Sequence, residues 1–221
     1  MLSRVLEPEV MDDASEALAY DEMDHAGINE VFVNDFLSTG VAGQFVLDIG
    51  TGTARIPVLL CERDPHCCVM AIDAAVSMLE IARLNVAVGL MEHRIQLSQG
   101  DSKQLSFHPH FFDAVLSNSV LHHIPKPEAA LVEAVRVLKP GGRIFMRDLV
   151  RPDSEATVEA LVLEHAAQEP EGNQQLLRQS LFAALTLAEI RELIAPLGFP
   201  ESTVQMTSDR HWTWDARKPA E

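Results

Sequence analysis

Val46-Leu47-Asp48-Ile49-Gly50-Thr51-Gly52-Thr53-Ala54-Arg55 decides the fold. An apolar run ends in an aspartate, a Gly-x-Gly turn follows, and a helix-compatible segment comes next. A buried parallel strand hands a nucleotide-like ligand to a helix N-terminus in this way. The glycines let the backbone turn tightly and approach the ligand with no Cβ in between. The unpaired N–H groups of the first helical turn then meet the ligand's polar atoms.

A dinucleotide fingerprint reads Gly-x-Gly-x-x-Gly, but here the sixth position is Arg55 and the third small residue is Ala54. A pyrophosphate cradle is therefore poorly specified. Asp48 repels a pyrophosphate, whereas it suits a ligand carrying an ammonium or sulfonium group, as S-adenosylmethionine does. The plain alternative is an ordinary strand–helix turn that contains two glycines.

Outward from this stretch, strands and helices alternate. Strands are expected at 45–49, 68–73, 94–98, 113–118 and 143–148, and helices at about 54–63, 76–88 and 127–138. Gly89 and the Lys139-Pro140-Gly141-Gly142 turn act as punctuation. Near-continuous apolar strands alternating with helices predict a parallel sheet covered on both faces. Residues 1–40 read as mostly helical, with Ile28, Val31, Phe32 and Phe36 on one face. Residues 153–184 break the alternation with two helical patterns. A further helix starts at Thr186 or Leu187, and Ser202–Thr207 and Trp212–Ala216 form a hairpin. The organisation expected is an N-terminal helical cap (1–40) on one α/β domain (41–221), with a helical insertion at 153–184.

The 221 residues suit one such domain, and 47% hydrophobic content suffices for its core. A net charge of −16 with no basic cluster to offset it argues against nucleic acid as substrate or partner. Three cysteines, an odd count with Cys67 and Cys68 adjacent, make no disulfide framework and fit a reducing, cytoplasmic setting. Nine of the first thirty residues are acidic and one is basic, so no signal peptide is expected. No apolar run approaches the length of a membrane span, so no membrane partner is expected either.

Ligands of a doubly wound sheet bind at the carboxyl ends of its strands. In chain order, the predicted strands deliver Asp48 with the Gly50/Gly52 turn, then Asp73, Asp101, Asn118 and Asp148. Asp73 lies 21 residues after Gly52, the spacing of an acidic residue that binds ribose hydroxyls. Singly, each could do no more than cap the turn after its strand. Asp148 carries the least weight, because Asp153 and Arg147 offer alternative surface roles.

Lined up in this way, the chain closely resembles the class I S-adenosylmethionine-dependent methyltransferases, specifically the small-molecule type with a type 11-like domain. Residues 46–53, 72–79, 100–102, 112–123 and 137–143 are similar to that family's successive motifs. The resemblance implies a three-layer, doubly wound, mostly parallel seven-stranded Rossmann-like sheet whose last hairpin inserts one antiparallel strand. It implies that Asp73 holds the ribose hydroxyls and that Ala74 and Met78 line the adenine and ribose side. Asp101, supported by Ser102, would accept from the adenine amino group. Gly50, Thr51 and Gly52 would meet the methionine part, with Asp48 orienting the turn or the amino group and the Asn118 main chain alongside. Ala54 departs from the commoner glycine.

Methyl transfer is in-line attack on a sulfonium methyl, for which the protein mainly supplies orientation. An oxygen nucleophile also wants a base, and His122 and His123 are the candidates. Adjacent histidines point different ways in most conformations, so at most one is expected to act. The alternative is that they only pack the loop. No metal is expected, because His122-His123 alone has the wrong spacing for helical ligation. The acceptor pocket is expected from the N-terminal helices (Tyr20, Met23, His25) and the insertion (Arg178, Ser180, Phe182), acting as a lid. Alternatively, these helices cover a sheet face or form a homodimer contact. The competing functions are a nicotinamide-dependent oxidoreductase, disfavoured by Arg55 and Asp48, and a non-catalytic S-adenosylmethionine-binding protein.

Overall fold

A computed structural model describes residues 2–7, 9–10, 12–23, 26–40 and 43–220. In chain order the elements are α1 (Ala14–Glu22), α2 (Ala26–Ser38), β1 (Phe45–Ile49), α3 (Arg55–Arg63), β2 (Cys68–Asp73), α4 (Val76–Val88), β3 (Ile95–Gln99) and β4 (Phe112–Asn118). They continue as α5 (Glu128–Val137), β5 (Leu138–Leu149), α6 (Glu155–Ala166), α7 (Glu171–Ala183), α8 (Leu187–Ile194), β6 (Val204–Met206) and β7 (His211–Arg217). The seven strands form one sheet in the order β3-β2-β1-β4-β5-β7-β6. β1 pairs in parallel with both β2 and β4, and β6 pairs antiparallel with β7. This is the doubly wound α/β sheet that the alternation predicts, with its strand order reversing at β1 and β4.

The chain divides into two units. The larger holds residues 10–118, 128–146 and 215–221. In it, alternate residues of the parallel strands (Val46, Val69, Ala71, Ala114 and Leu116) turn one sheet face onto α2, α3 and α4. There they pack with Phe32, Phe36, Leu60, Ala82 and Val86. Leu47, Ile49 and Val115, of the opposite parity, are also buried, as a sheet covered on both sides requires. Phe32 meets the Phe145 ring edge-on at 5.1 Å, a geometry that adds to the area these rings bury.

Two expectations need correction. Lys139-Pro140-Gly141-Gly142 is not a turn that precedes a strand. It lies inside β5, which starts at Leu138. The Gly141 N–H donates to the Lys218 carbonyl and the Lys218 N–H to the Gly142 carbonyl, both at 2.8 Å. Gly141 takes φ +75°, and a Cβ on Gly142 would come within 2.9 Å of the Asp113 carbonyl. The glycines therefore serve a kinked strand pair instead of a loop. Nor is the N-terminus helical before Ala14. The described residues up to Asp13 lack helix, and the Asp13 carboxylate caps α1 by accepting from the N–H groups of Ser15 and Glu16.

The smaller unit holds residues 1–9, 119–127 and 147–214. α6 and α7 pack Val158, Leu161, Val162 and Leu181 around Leu149. α8 opens with a capping box between Thr186 and Glu189. Trp212 and Trp214 pair across the hairpin with Met206 and Val204 and are fully buried, so they belong to the core. No helix among the described residues is long and apolar enough to cross a membrane.

Candidate active site

In the larger unit, the polar residues gather where β1 and β4 diverge. Ile49 and Ser117 are neighbours in register, and the Ser117 hydroxyl donates to the Ile49 carbonyl at 3.0 Å. This sets Asn118 beside the start of the glycine turn. Gly50 and Gly52 have φ of +69° and +53°, which glycine adopts without strain. Ala54 is also left-handed, at φ +59°, so the position where the family prefers glycine has a backbone reason for that preference. The N–H groups of Gly50 and Thr51 both donate to the Ile72 carbonyl at 2.9 Å.

Asp73 ends β2 and locks this turn. Its Oδ2 accepts from the Gly52 N–H at 2.7 Å and its Oδ1 from the Ala75 N–H at 2.9 Å. Burial pushes its carboxyl above the usual range, and those N–H groups oppose the rise. Asp48 is 3% exposed. Burial raises its carboxyl to about 7, with Thr51 opposing and the charge of Asp73 adding to the rise. A carboxylate so destabilised is stabilised again by any cation brought to it.

A cavity of about 270 Å³ opens at the ends of β2 and β3, lined by Ala74, Gln99, Gly100 and Asp101. The Asp101 carboxylate accepts from the Lys103 N–H at 2.8 Å, which holds its pKa down. Ser102 follows it, half-buried. Met78 is buried with Ala17 and Ala75, and Tyr20 packs on them. Tyr20 sits against Gly52: a Cβ there would lie 3.9 Å from its ring. Burial, then the charges of Asp73 and Asp21, raise its phenol. Tyr20 thus stands at the glycine turn, with the residues expected for the cofactor. Met23 is the C-cap of α1, and His25 lies outside the described residues.

The smaller unit carries a second cluster. His122 is 3% exposed, and its Nδ1 lies 2.6 Å from Oδ1 of Asp148. Asp148 is itself 2% exposed and accepts from the N–H groups of Leu121 at 2.6 Å and Leu149 at 2.7 Å. Its low weighting in the sequence is therefore corrected: it is a buried partner of His122. Burial is the largest influence on the Asp148 carboxyl and raises it, but the charge and hydrogen bond of His122, the Leu149 N–H and the charge of His123 together hold the group low. Burial likewise lowers His122, and the charge and hydrogen bond of Asp148 reverse the sign, so its imidazole is raised.

The two histidines do not diverge. Their rings stack with centroids 4.1 Å apart, and both face Glu7: His122 Nε2 lies 3.4 Å and His123 Nδ1 3.2 Å from Glu7 Oε1. The reason is the backbone. Residues 119–124 are not a strand, where neighbours alternate. His123 and Ile124 donate to the carbonyls three residues back, and Ser119 is left-handed at φ +56°. Glu7 and Asp148 complete a set that the sequence reading missed or discounted. Only the position of Asp148 after an apolar run gave a signal.

Ser180 donates to Glu7 at 3.2 Å, and Phe182 lines a cavity of about 370 Å³ with Val5, Leu6, Glu7 and Gln179. Arg178 does not join them. Its guanidinium grips Glu159 of α6 at 2.6 and 2.9 Å, which ties α7 to α6.

Residues 47–146 match the family model described as a methyltransferase domain. A demethylmenaquinone methyltransferase of Clavibacter sepedonicus is 35% identical over 112 residues, 51% of this chain and 44% of that one. A ubiquinone biosynthesis O-methyltransferase of Xylella fastidiosa is 34% identical over 121 residues, 53% of this chain and 47% of that one. The chain thus spans about half the length of the curated relatives it matches. A crystal structure from Methanococcus maripaludis, described as an S-adenosyl-L-methionine-dependent methyltransferase, superposes with a TM-score of 0.73 at 18% identity. It covers 98% of each chain, and at that identity the likeness bears on the fold. Through its sheet, its glycine turn and the match over residues 47–146, this part of the chain is similar to a methyltransferase domain.

Proposed function

We propose that this protein transfers the methyl group of S-adenosylmethionine to a small organic acceptor and releases S-adenosylhomocysteine. The observation that carries the reading is the convergence of Asp48, the Gly50–Gly52 turn and Asp73 at the point where the strand order reverses, beside the Ala74–Asp101 cavity. Buried carboxylates suit a cationic amino acid and ribose hydroxyls and would repel a pyrophosphate. When bound, the cofactor supplies a methyl group activated by a sulfonium charge. Asp73 binds the ribose hydroxyls, Ala74 and Asp101 take the adenine, and Asp48 faces the ammonium. Met78 and Tyr20 wall the site.

Glu7, His122 and His123 handle the acceptor. Asp148 positions His122, and the half-buried His123 stands beside it to face the acceptor. The cavity under Val5 and Phe182 has the size of a small-ligand site. The N-terminal segment and the 153–184 insertion frame it. The cysteines and the net charge of −16 support a reducing, cytoplasmic setting without nucleic acid.

Thermal unfolding tests the reading. At a hundred times the dissociation constant, S-adenosylmethionine and S-adenosylhomocysteine should stabilise the fold by about 2.7 kcal/mol, a rise of roughly 5–10 °C for a chain of this size, while NAD leaves it unchanged. A shift with NAD alone would indicate a dehydrogenase. No shift with any of the three would leave no cofactor to transfer from.

Asp48 adds a pH dependence. A bound ammonium favours the charged carboxylate, so the group ionises on binding and a proton is released. With a free-state pKa of about 7, affinity for S-adenosylhomocysteine should weaken about tenfold from pH 8 to pH 6. Asp48→Asn should flatten that slope in calorimetric titrations. A slope unchanged in the variant would place the ammonium elsewhere.

A further inference from the structure

We propose that Glu7, His122 and His123 form a binding site for one divalent transition-metal ion, with Asp148 as the carboxylate that orients His122. Three donor atoms, one from each residue, lie within 4.8 Å of one another. The two distances from Glu7 Oε1 to the imidazole nitrogens are 3.2 and 3.4 Å. Ligand atoms held about 2.0–2.1 Å from a tetrahedral ion lie about 3.3 Å apart, so Glu7 stands at coordination spacing from each imidazole.

The hydrogen bonds point the same way. Oδ1 and Oδ2 of Asp148 accept backbone N–H groups, so the proton in its 2.6 Å contact with His122 belongs to Nδ1. Nε2, the other ring nitrogen of His122, faces the Glu7 carboxylate at 3.4 Å. An imidazole that donates its other N–H to a carboxylate is the usual arrangement of a metal-bound histidine.

The site is also built rather than incidental. The segment that carries Glu7 is anchored on both sides of the histidine turn. Arg4 donates to the carbonyls of His122 at 3.1 Å, Ile124 at 3.0 Å and Ala183 at 2.6 Å, and the Val5 N–H donates to the Phe182 carbonyl at 3.1 Å. Two imidazoles and one carboxylate suit Zn²⁺ and its neighbours over Ca²⁺ or Mg²⁺. Such a set leaves a position for an oxygen ligand, water or an organic hydroxyl, and the 370 Å³ cavity that Glu7 lines provides its approach. Adjacency of the two histidines in sequence argues against helical ligation. The irregular turn and a carboxylate from 115 residues away are what bring the donors together.

The test is a calorimetric titration of the chelator-treated full chain with Zn²⁺, and of a parallel sample with Co²⁺ read by its visible ligand-field absorption. One equivalent of each is expected, with a Co²⁺ spectrum of low coordination number. Glu7→Gln and His123→Ala should each abolish the saturable equivalent. His165→Ala should not, although Glu164, His165 and Asp209 form the other group of possible donors among the described residues. Far-UV circular dichroism identifies any variant that fails to fold. His123→Gln, at a half-buried position, then replaces it. No saturable equivalent in the parent chain overturns the proposal, as does one that survives both substitutions or is lost with His165→Ala. The measurement needs neither cofactor nor acceptor, so its failure leaves the methyl-transfer reading standing, and the reverse holds too.

Discussion

Asp73→Ala should weaken binding of S-adenosylhomocysteine by roughly 10²- to 10⁴-fold. The carboxylate is proposed to accept two hydroxyl hydrogen bonds, and bonds to a charged group contribute about 1.5–3 kcal/mol each. The substitution does more than delete those two bonds. Asp73 also accepts the N–H of Gly52 at 2.7 Å and that of Ala75 at 2.9 Å, so alanine releases the glycine turn from β2 and the methionine subsite with it. Asp73→Asn keeps an acceptor oxygen for the turn and should fall between parent and alanine variant. Asp101→Ala should cost less, because that carboxylate is mostly exposed and already engaged by Lys103. Calorimetric titration with S-adenosylhomocysteine checks the series. Undiminished affinity in Asp73→Ala would remove Asp73 from the site.

The second large effect is on stability. Asp148→Ala should lower the unfolding free energy by about 3–5 kcal/mol, the usual cost of deleting one partner of a buried ion pair. The variant leaves His122 buried without its Nδ1 acceptor, and it orphans the N–H groups of Leu121 and Leu149. Urea unfolding in the presence of chelator should show a lower midpoint at an unchanged slope. Asp153→Ala supplies the comparison. That residue is exposed, and its loss should be nearly silent. Equal effects of the two substitutions would mean that the Asp148–His122 pair holds nothing together.

The contrast between these two aspartates shows where sequence reading works. Asp73 announces itself: an apolar strand precedes it and a fixed interval separates it from Gly52. β1, β2 and α4 begin and end where apolar runs and Gly89 imply. Asp148 also follows an apolar run, but its weight depends on whether position 148 faces water. That is settled by the Leu121–His122 turn closing over it, 26 residues away. Glu7 gives no local signal at all. Its place beside the histidines depends on Arg4 and Val5 finding carbonyls more than a hundred residues on. A cation on a helix face, such as Arg178, looks the same in sequence whether it waits for a substrate or grips a neighbour such as Glu159. Gly141 and Gly142 misled because glycine marks a turn in most contexts, whereas here it relieves crowding against Asp113 and pairs with Lys218.

The sequence by itself determined the alternating α/β sheet, the glycine turn and the acidic residues at the strand ends. Those follow from periodicity and from spacings that the chain carries along its own length. The tertiary structure alone decided that Tyr20 stands against the glycine turn, that His122 and His123 face the same carboxylate, and that Asp148 is buried. Each of these depends on a hydrogen bond, ion pair or packing contact between residues distant in sequence. Such contacts form because buried polar groups must find partners, and which partner is within reach is fixed only when the elements have packed.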